Sequence, residues 1–100
     1  MIEIDVQQTK EFAEWLRKLR DAEARLRIVQ RVQRFKRGNA GDTRPVGGPV
    51  REMRIDYGPG YRVYFTRRGN TVVLPLCGGD KRTQQADIAR ARELAEQWRD

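Results

Sequence analysis

The sequence predicts an α+β fold in the order β-α-α-β-β-β-α: an antiparallel β-sheet with an N-terminal helical hairpin and a C-terminal helix. Three observations carry this. Apolar residues alternate with charged ones over residues 1–6 and again, on odd positions, in 51–56 and 61–65, the period of half-buried strands. Two segments with apolar residues at helical spacing, about 9–20 and 21–38, follow one another with almost no connection. A third such segment closes the chain. The 100 residues are expected to form one domain, 1–100, since a chain this short supports one modest core.

Taken in order, Ile2, Ile4 and Val6 against Glu3 and Asp5 give the opening strand. Thr9 offers an N-cap to a first helix whose apolar stripe is Phe12, Trp15, Leu16 and Leu19. Asp21 caps a second, in which Leu26, Val29, Val32 and Phe35 recur and Ile28 widens the stripe. Gly38 and Asn39 stop it, because glycine takes the left-handed conformation cheaply. Residues 38–49 hold four glycines and two prolines and read as an irregular loop within the domain.

A β-meander follows. Met53 and Ile55, then Tyr61, Val63 and Phe65, occupy odd positions, with a break at Tyr57-Gly58-Pro59-Gly60. The pattern places Met53 opposite Phe65, Ile55 opposite Val63, Arg54 opposite Tyr64 and Asp56 opposite Arg62. Gly69-Asn70 reads as a hairpin turn into residues 71–77, with Phe65 opposite Leu74, Val63 opposite Leu76, Arg62 opposite Cys77 and Tyr64 opposite Pro75. A central strand tolerates proline poorly, so a bulge or unpaired edge is expected at Pro75. Gly78 to Arg82 form a tight basic turn. Thr83 caps the last helix, whose apolar face is Ile88, Ala91, Leu94, Ala95 and Trp98. The helices are expected to cover one sheet face and to leave the other open or partly open.

Composition narrows the chemistry. Twenty-one Lys and Arg against 14 Asp and Glu give a net charge of +7 and a pI near 10.3. There is no histidine, which excludes Ser-His-Asp and Cys-His nucleophiles and His-ligated metals, and one cysteine, which excludes thiolate zinc clusters. Neither a metal nor any other cofactor is expected. Lone Cys77 points to a reducing cytoplasm. No apolar run approaches the roughly 18 residues of a membrane span, and the N-terminus lacks a signal-peptide pattern. Six basic residues and no acid lie between Arg25 and Arg37, and seven basic residues against three acids between Arg51 and Arg82. The first group reads chiefly as a solvated helix face. The second, on a polar sheet face, is the footprint of a polyanion whose binding weakens steeply with salt.

Metal-free RNA cleavage needs a 2′-hydroxyl deprotonated and aligned, charge stabilised on the phosphorane, and a proton for the departing 5′-oxygen. Arginine grips phosphate oxygens bidentately and keeps its charge, lysine supplies a point charge and a proton, and tyrosine stacks or relays. Arg62, Lys81, Arg54 and Tyr64 are the catalytic candidates; Arg82, Arg51, Arg67 and Arg68 are the RNA-binding ones. Asp56 is read as the partner that orients Arg62, and the acids show no metal-ligand clustering. Trp15, Trp98 and Cys77 read as packing residues, and Tyr57 and Tyr61 as framing the turn. Gly78-Gly79 fits a phosphate cradle or a tight turn equally. On pattern alone, nucleic-acid binding is favoured over catalysis.

The run Glu52-Met53-Arg54-Ile55-Asp56-Tyr57-Gly58-Pro59-Gly60-Tyr61-Arg62-Val63-Tyr64-Phe65, followed by Leu76-Cys77-Gly78-Gly79-Asp80-Lys81, resembles the addiction-module killer proteins, the HigB-like toxins of the RelE/ParE superfamily. The similarity runs over nearly the whole chain and implies a RelE-like fold. It implies the toxin of a type II toxin–antitoxin module, an endoribonuclease (mRNA interferase) that enters the ribosomal A site and cuts mRNA without a metal. It implies a neighbouring helix-turn-helix, HigA-like antitoxin, through which alone operator DNA would be bound. Matching positions make Arg62 a transition-state phosphate ligand, Lys81 with its neighbour Arg82 the basic turn residue, and Arg54 the basic residue of the second strand. The chain departs from RelE in having Glu52 where that toxin has a second basic residue, and Gln84, Gln85 and Asp87 where it has a tyrosine. It departs from HigB in lacking histidine. Tyr64 and Lys81 then stand in as acid and base. The alternatives are a ParE-like DNA gyrase inhibitor, which needs no phosphate clamp, and a non-catalytic basic RNA-binding adaptor.

Overall fold

The computed structural model describes residues 4–69 and 72–98. Two-residue strand β1 (Asp5–Val6) leads into α1 (Lys10–Lys18) and α2 (Ala22–Gln33), which runs on as a 3-10 turn over Arg34–Arg37. Strands β2 (Thr43–Pro45), β3 (Arg51–Ile55), β4 (Tyr61–Arg68) and β5 (Val72–Gly79) follow, then a 3-10 turn over Lys81–Thr83 and α3 (Gln84–Gln97). The α+β architecture and the RelE-like layout are those expected. One element was not: β2 forms inside the loop read as irregular. It is an edge strand ending at a proline, too short to show a period.

The helix boundaries have local causes. The Thr9 hydroxyl accepts from the Phe12 N–H at 3.0 Å and donates to the Leu76 carbonyl at 2.5 Å, so the cap of α1 is also fastened to β5. The Asp21 carboxylate accepts from the Glu23 and Ala24 N–H groups at 3.0 and 3.2 Å. Gly38, at φ +77°, ends the α2 segment as expected. At α3 the expectation needs correcting. Asp80, not Thr83, does the capping: its side chain accepts from the Arg82 N–H, while the Thr83 hydroxyl donates to Asp87 Oδ2 at 2.5 Å.

The sheet order is β1-β5-β4-β3-β2, with β1 parallel to β5 and the other pairs antiparallel. Alternation along the strands feeds two cores. On one face Met53, Ile55, Val63, Phe65 and Val73 pack under Phe12, Ile28, Val32 and Phe35 of the helical hairpin. On the other, Tyr64, Leu74, Leu76 and Cys77 pack under Ala91, with Ile88, Leu94 and Trp98 of α3 alongside. The second face is therefore covered along much of its length. Each fully buried Phe, Ile or Leu contributes about 1.5–3 kcal/mol. Trp15 and Trp98 lie against these cores, as expected of packing residues.

The strand registers differ from those expected. Met53 lies opposite Val63, Arg54 opposite Arg62 and Ile55 opposite Tyr61, a displacement of two residues. Such a shift keeps every side chain on its own face, so hydrophobic alternation cannot detect it. The turn decides it: Tyr57 N–H donates to Ile55 C=O, Gly60 N–H donates to Tyr57 C=O, and Gly58 and Gly60 adopt φ of +60° and +82°. Between β4 and β5, Tyr64 faces Cys77 but Phe65 faces Pro75, so Leu76 is the extra residue of a β-bulge. Disruption was expected at Pro75 and falls one residue later. Pairing beyond the bulge is one residue off the expected register, with Thr66 rather than Phe65 opposite Leu74, and the bulge adds a second, so Arg62 lies opposite Gly79 rather than Cys77. Asn70 of the expected hairpin turn, and Ile2 and Glu3 of the opening strand, fall outside the described residues.

Candidate phosphate-binding site

Direct pairing of Arg54 with Arg62 brings two like charges face to face, which costs free energy unless each has a counter-charge. Each has one. Asp42 accepts from Arg54 Nε and Nη2 at 3.1 and 3.0 Å, and its backbone carbonyl accepts the Arg54 N–H. Glu52 places Oε2 3.8 Å from Arg62 Nε. Asp56, read as the partner of Arg62, is exposed and makes no ion pair among the described residues; the register shift has carried it past Arg62.

Glu52 is the group that pattern reading passed over. It is fully buried. Its Oε1 accepts from Arg44 Nε at 2.9 Å, and its Oε2 from Gln84 Nε2 at 2.7 Å and the Tyr64 hydroxyl at 3.1 Å. Burial pushes this carboxyl up, but the bonds from Arg44 and Gln84 outweigh it and hold the group below the usual glutamate range. A buried carboxylate thus sits beneath Arg62 and fixes the strand end to β2 and to the start of α3. The available signal was the alternation that puts Glu52, Arg54, Arg62 and Tyr64 on one face; the register hid which of them touch.

Tyr64 lies elsewhere than expected. It is fully buried, its hydroxyl is bound to Glu52, and burial and that carboxylate both push its ionisation well up. It acts on Arg62 only through Glu52 and does not reach a ligand on the surface. Arg62 is mostly covered, and its Nε has no hydrogen-bond partner. Lys81 joins it across Gly60. A Cβ built on Gly60 would lie 3.7 Å from Lys81 Cβ and 4.0 Å from Arg62 Nη1, so the turn glycine leaves the base of Lys81 and the Arg62 guanidinium on either side of one gap. Lys81 is exposed and has no ion-pair partner among the described residues. Asp42, Arg54, Ile55, Asp56, Gly60 and Arg62 line an open cleft of about 330 Å³.

The remaining candidates divide. Arg82 stands next to Lys81 on the rim, largely exposed, and pairs loosely with Asp80 at 3.4 Å. Arg51 projects from the opposite sheet face, where its Nη2 donates to the Thr43 hydroxyl at 3.4 Å. Arg67 and Arg68 sit at the far end of β4, roughly 20 Å along the strand from Arg62. There the Arg68 guanidinium stacks on Trp98 at 4.6 Å. These three do not join the cleft.

Gly78 and Gly79 have a packing explanation in place of a phosphate cradle. A Cβ on Gly78 would overlap the Trp15 ring, and one on Gly79 would overlap the Asp87 carboxylate. Cys77 is buried and its thiol is pushed up to about 12 by burial and then by Asp87, so it is no nucleophile. Among the described residues no three acidic or thiol side chains gather into a metal-holding group, and no helix is long and apolar enough to cross a membrane.

A family model described as phage derived protein Gp49-like (DUF891) matches residues 14–99. The chain belongs to the Gp49-like family. Gp49-like proteins are toxins of toxin–antitoxin systems of RelE-like type. An uncharacterized protein of Haemophilus influenzae is 43% identical to this Gp49-like chain over 94 residues, covering 94% of the one and 95% of the other.

Proposed function

We propose that this chain is the HigB-like toxin of a type II module and acts as a metal-independent endoribonuclease on mRNA in the ribosomal A site. The observation that supports the reading is a cleft lined by Arg54 and Arg62, with Arg62 backed by a buried carboxylate and the base of Lys81 beside Gly60 on its wall. In this reading Arg62 and Arg54 grip the non-bridging oxygens of the scissile phosphate as negative charge builds, Arg54 exchanging Asp42 for the substrate. The ribose 2′-oxygen attacks phosphorus as its proton passes to solvent water, the bond from phosphorus to the 5′-oxygen breaks, and Lys81 gives the departing oxygen its proton. The products are a 2′,3′-cyclic phosphate and a 5′-hydroxyl end. Tyr64 is a positioning residue acting through Glu52. A helix-turn-helix antitoxin holds the toxin in the cytoplasm and links it to operator DNA.

Induction in a bacterial host followed by mapping of RNA ends tests this. Cuts inside translated reading frames are expected, with 5′-hydroxyl ends. Arg62→Ala should lower cleavage on the order of 100- to 1,000-fold, as loss of one transition-state donor does, and Lys81→Ala should abolish growth arrest. Intact mRNA beside growth arrest and an SOS response would overturn the reading in favour of gyrase.

A further inference from the structure

Resting on the ribonuclease reading, we propose that a second cleft, on α2, binds a flanking phosphate of the same RNA strand. Ile55 and Asp56, which end the first cleft, also form one wall of a neighbouring cleft of about 310 Å³. Its other wall is Arg27, Gln30, Arg31 and Arg34. These recur at i, i+3, i+4 and i+7 and so share one helix face. The two clefts are one surface divided by a two-residue ridge.

Two of the three arginines of the second cleft, Arg31 and Arg34, have no ion pair among the described residues. No acid occurs between residues 25 and 37. Arg27 is neutralised by Glu23 at 3.0 Å and stacks on Tyr57. Arg31 meets only carbonyls, donating from Nη1 to Arg54 C=O at 2.7 Å and from Nη2 to Ala40 C=O at 3.2 Å. Arg34 is exposed and has no ion-pair partner among the described residues. Two buried side-chain nitrogens among the described residues lack a hydrogen-bond partner, Arg31 Nε and Arg62 Nε, one behind each cleft. The protein leaves both guanidinium groups incompletely satisfied. The Arg31 bond to the Arg54 carbonyl ties the two walls together, so the clefts keep a fixed spacing. Asp56 on the ridge repels phosphate and accepts hydrogen bonds. Phosphates therefore settle on either side, with a ribose or base amino group between them.

The test is binding of fluorescein-labelled 2′-O-methyl oligoadenylates, which lack the attacking hydroxyl, followed by anisotropy between 50 and 200 mM salt. The hexamer should bind well above the dinucleotide. Arg34→Gln should weaken the hexamer about tenfold and reduce the slope of log K against log salt by about 0.7, one single-strand phosphate. It should leave the dinucleotide unchanged, while Arg62→Ala weakens both. Arg37→Gln, outside the cleft, is the control. If Arg34→Gln matches Arg37→Gln while Arg62→Ala still weakens binding, the second site is overturned and the first stands. If the wild type binds neither oligonucleotide, both readings fall. Displacement by a poly-glutamate peptide that is sensitive to Arg34, with RNA binding insensitive to it, assigns the cleft to an acidic protein partner and overturns the proposal.

Discussion

Truncating the carboxylate under Arg62, by Glu52→Ala, withdraws the acceptor from three donors at once. Arg44 is half exposed and Gln84 partly so; both re-solvate at little cost, as a surface pair does. Tyr64 has no such escape. Its hydroxyl is fully buried, and a stranded buried donor costs about 1–3 kcal/mol. Arg62, mostly covered, loses its nearest counter-charge, and breaking a buried pair costs about 3–5 kcal/mol. The 3.8 Å separation places that contribution at the low end, so with the stranded hydroxyl we expect roughly 4–6 kcal/mol in all. In a domain of this size each kcal/mol lowers Tm by about 4–8 °C, so the fall should be at least about 16 °C. Glu52→Gln, which keeps the shape and one oxygen, should be intermediate. Tyr64→Phe should destabilise the wild type yet stabilise Glu52→Ala, because there it removes the stranded hydroxyl. Since the folded protein holds Glu52 below its unfolded range, its contribution is present above about pH 4.5 and disappears as pH falls through the folded value. The difference in stability between wild type and Glu52→Gln should therefore shrink from pH 6 to pH 3. Urea denaturation measures all of these. A Glu52→Ala protein within about 0.5 kcal/mol of wild type, or a Tyr64→Phe effect of the same sign in both backgrounds, refutes the reasoning.

Two further outcomes follow from packing. Gly78→Ala should cost about 1–3 kcal/mol by pressing on the Trp15 ring, since Gly78 has no unusual backbone angle; Trp15→Leu in the same chain should return part of it, read by thermal unfolding. The Cys77 thiol should resist a disulfide reagent at pH 8 in the folded protein and react promptly in urea, because burial pushes its ionisation up to about 12.

Much of the fold was legible because its signals are local. The Thr9 and Asp21 caps, the Gly38 stop and the inward faces of β3 and β4 follow from residue type and spacing. What escaped was non-local. A two-residue slip leaves Met53, Ile55 and Val63 facing inward in either register, so only the geometry at Gly58 and Gly60 distinguishes them. The bulge at Leu76 has no sequence mark beyond its neighbour Pro75. The site followed suit. Arg54 and Arg62 were readable as cations on one sheet face. Tyr64 as a buried support, and Asp42 and Glu52 as counter-charges, became visible only when β2, β3 and α3 were seen to meet.

The parallel pairing of β1 with β5 joins residues 5 and 6 to residues 72 and 73, and α1 and α3 rest on opposite faces of that same late strand. During synthesis the first three-quarters of the chain can therefore make helices but cannot close either core. Long-range pairing of this kind delays ordering until its distant partner exists. A prematurely ended polypeptide lacks the beam on which both layers hang, so the basic cleft takes shape only once translation has passed β5.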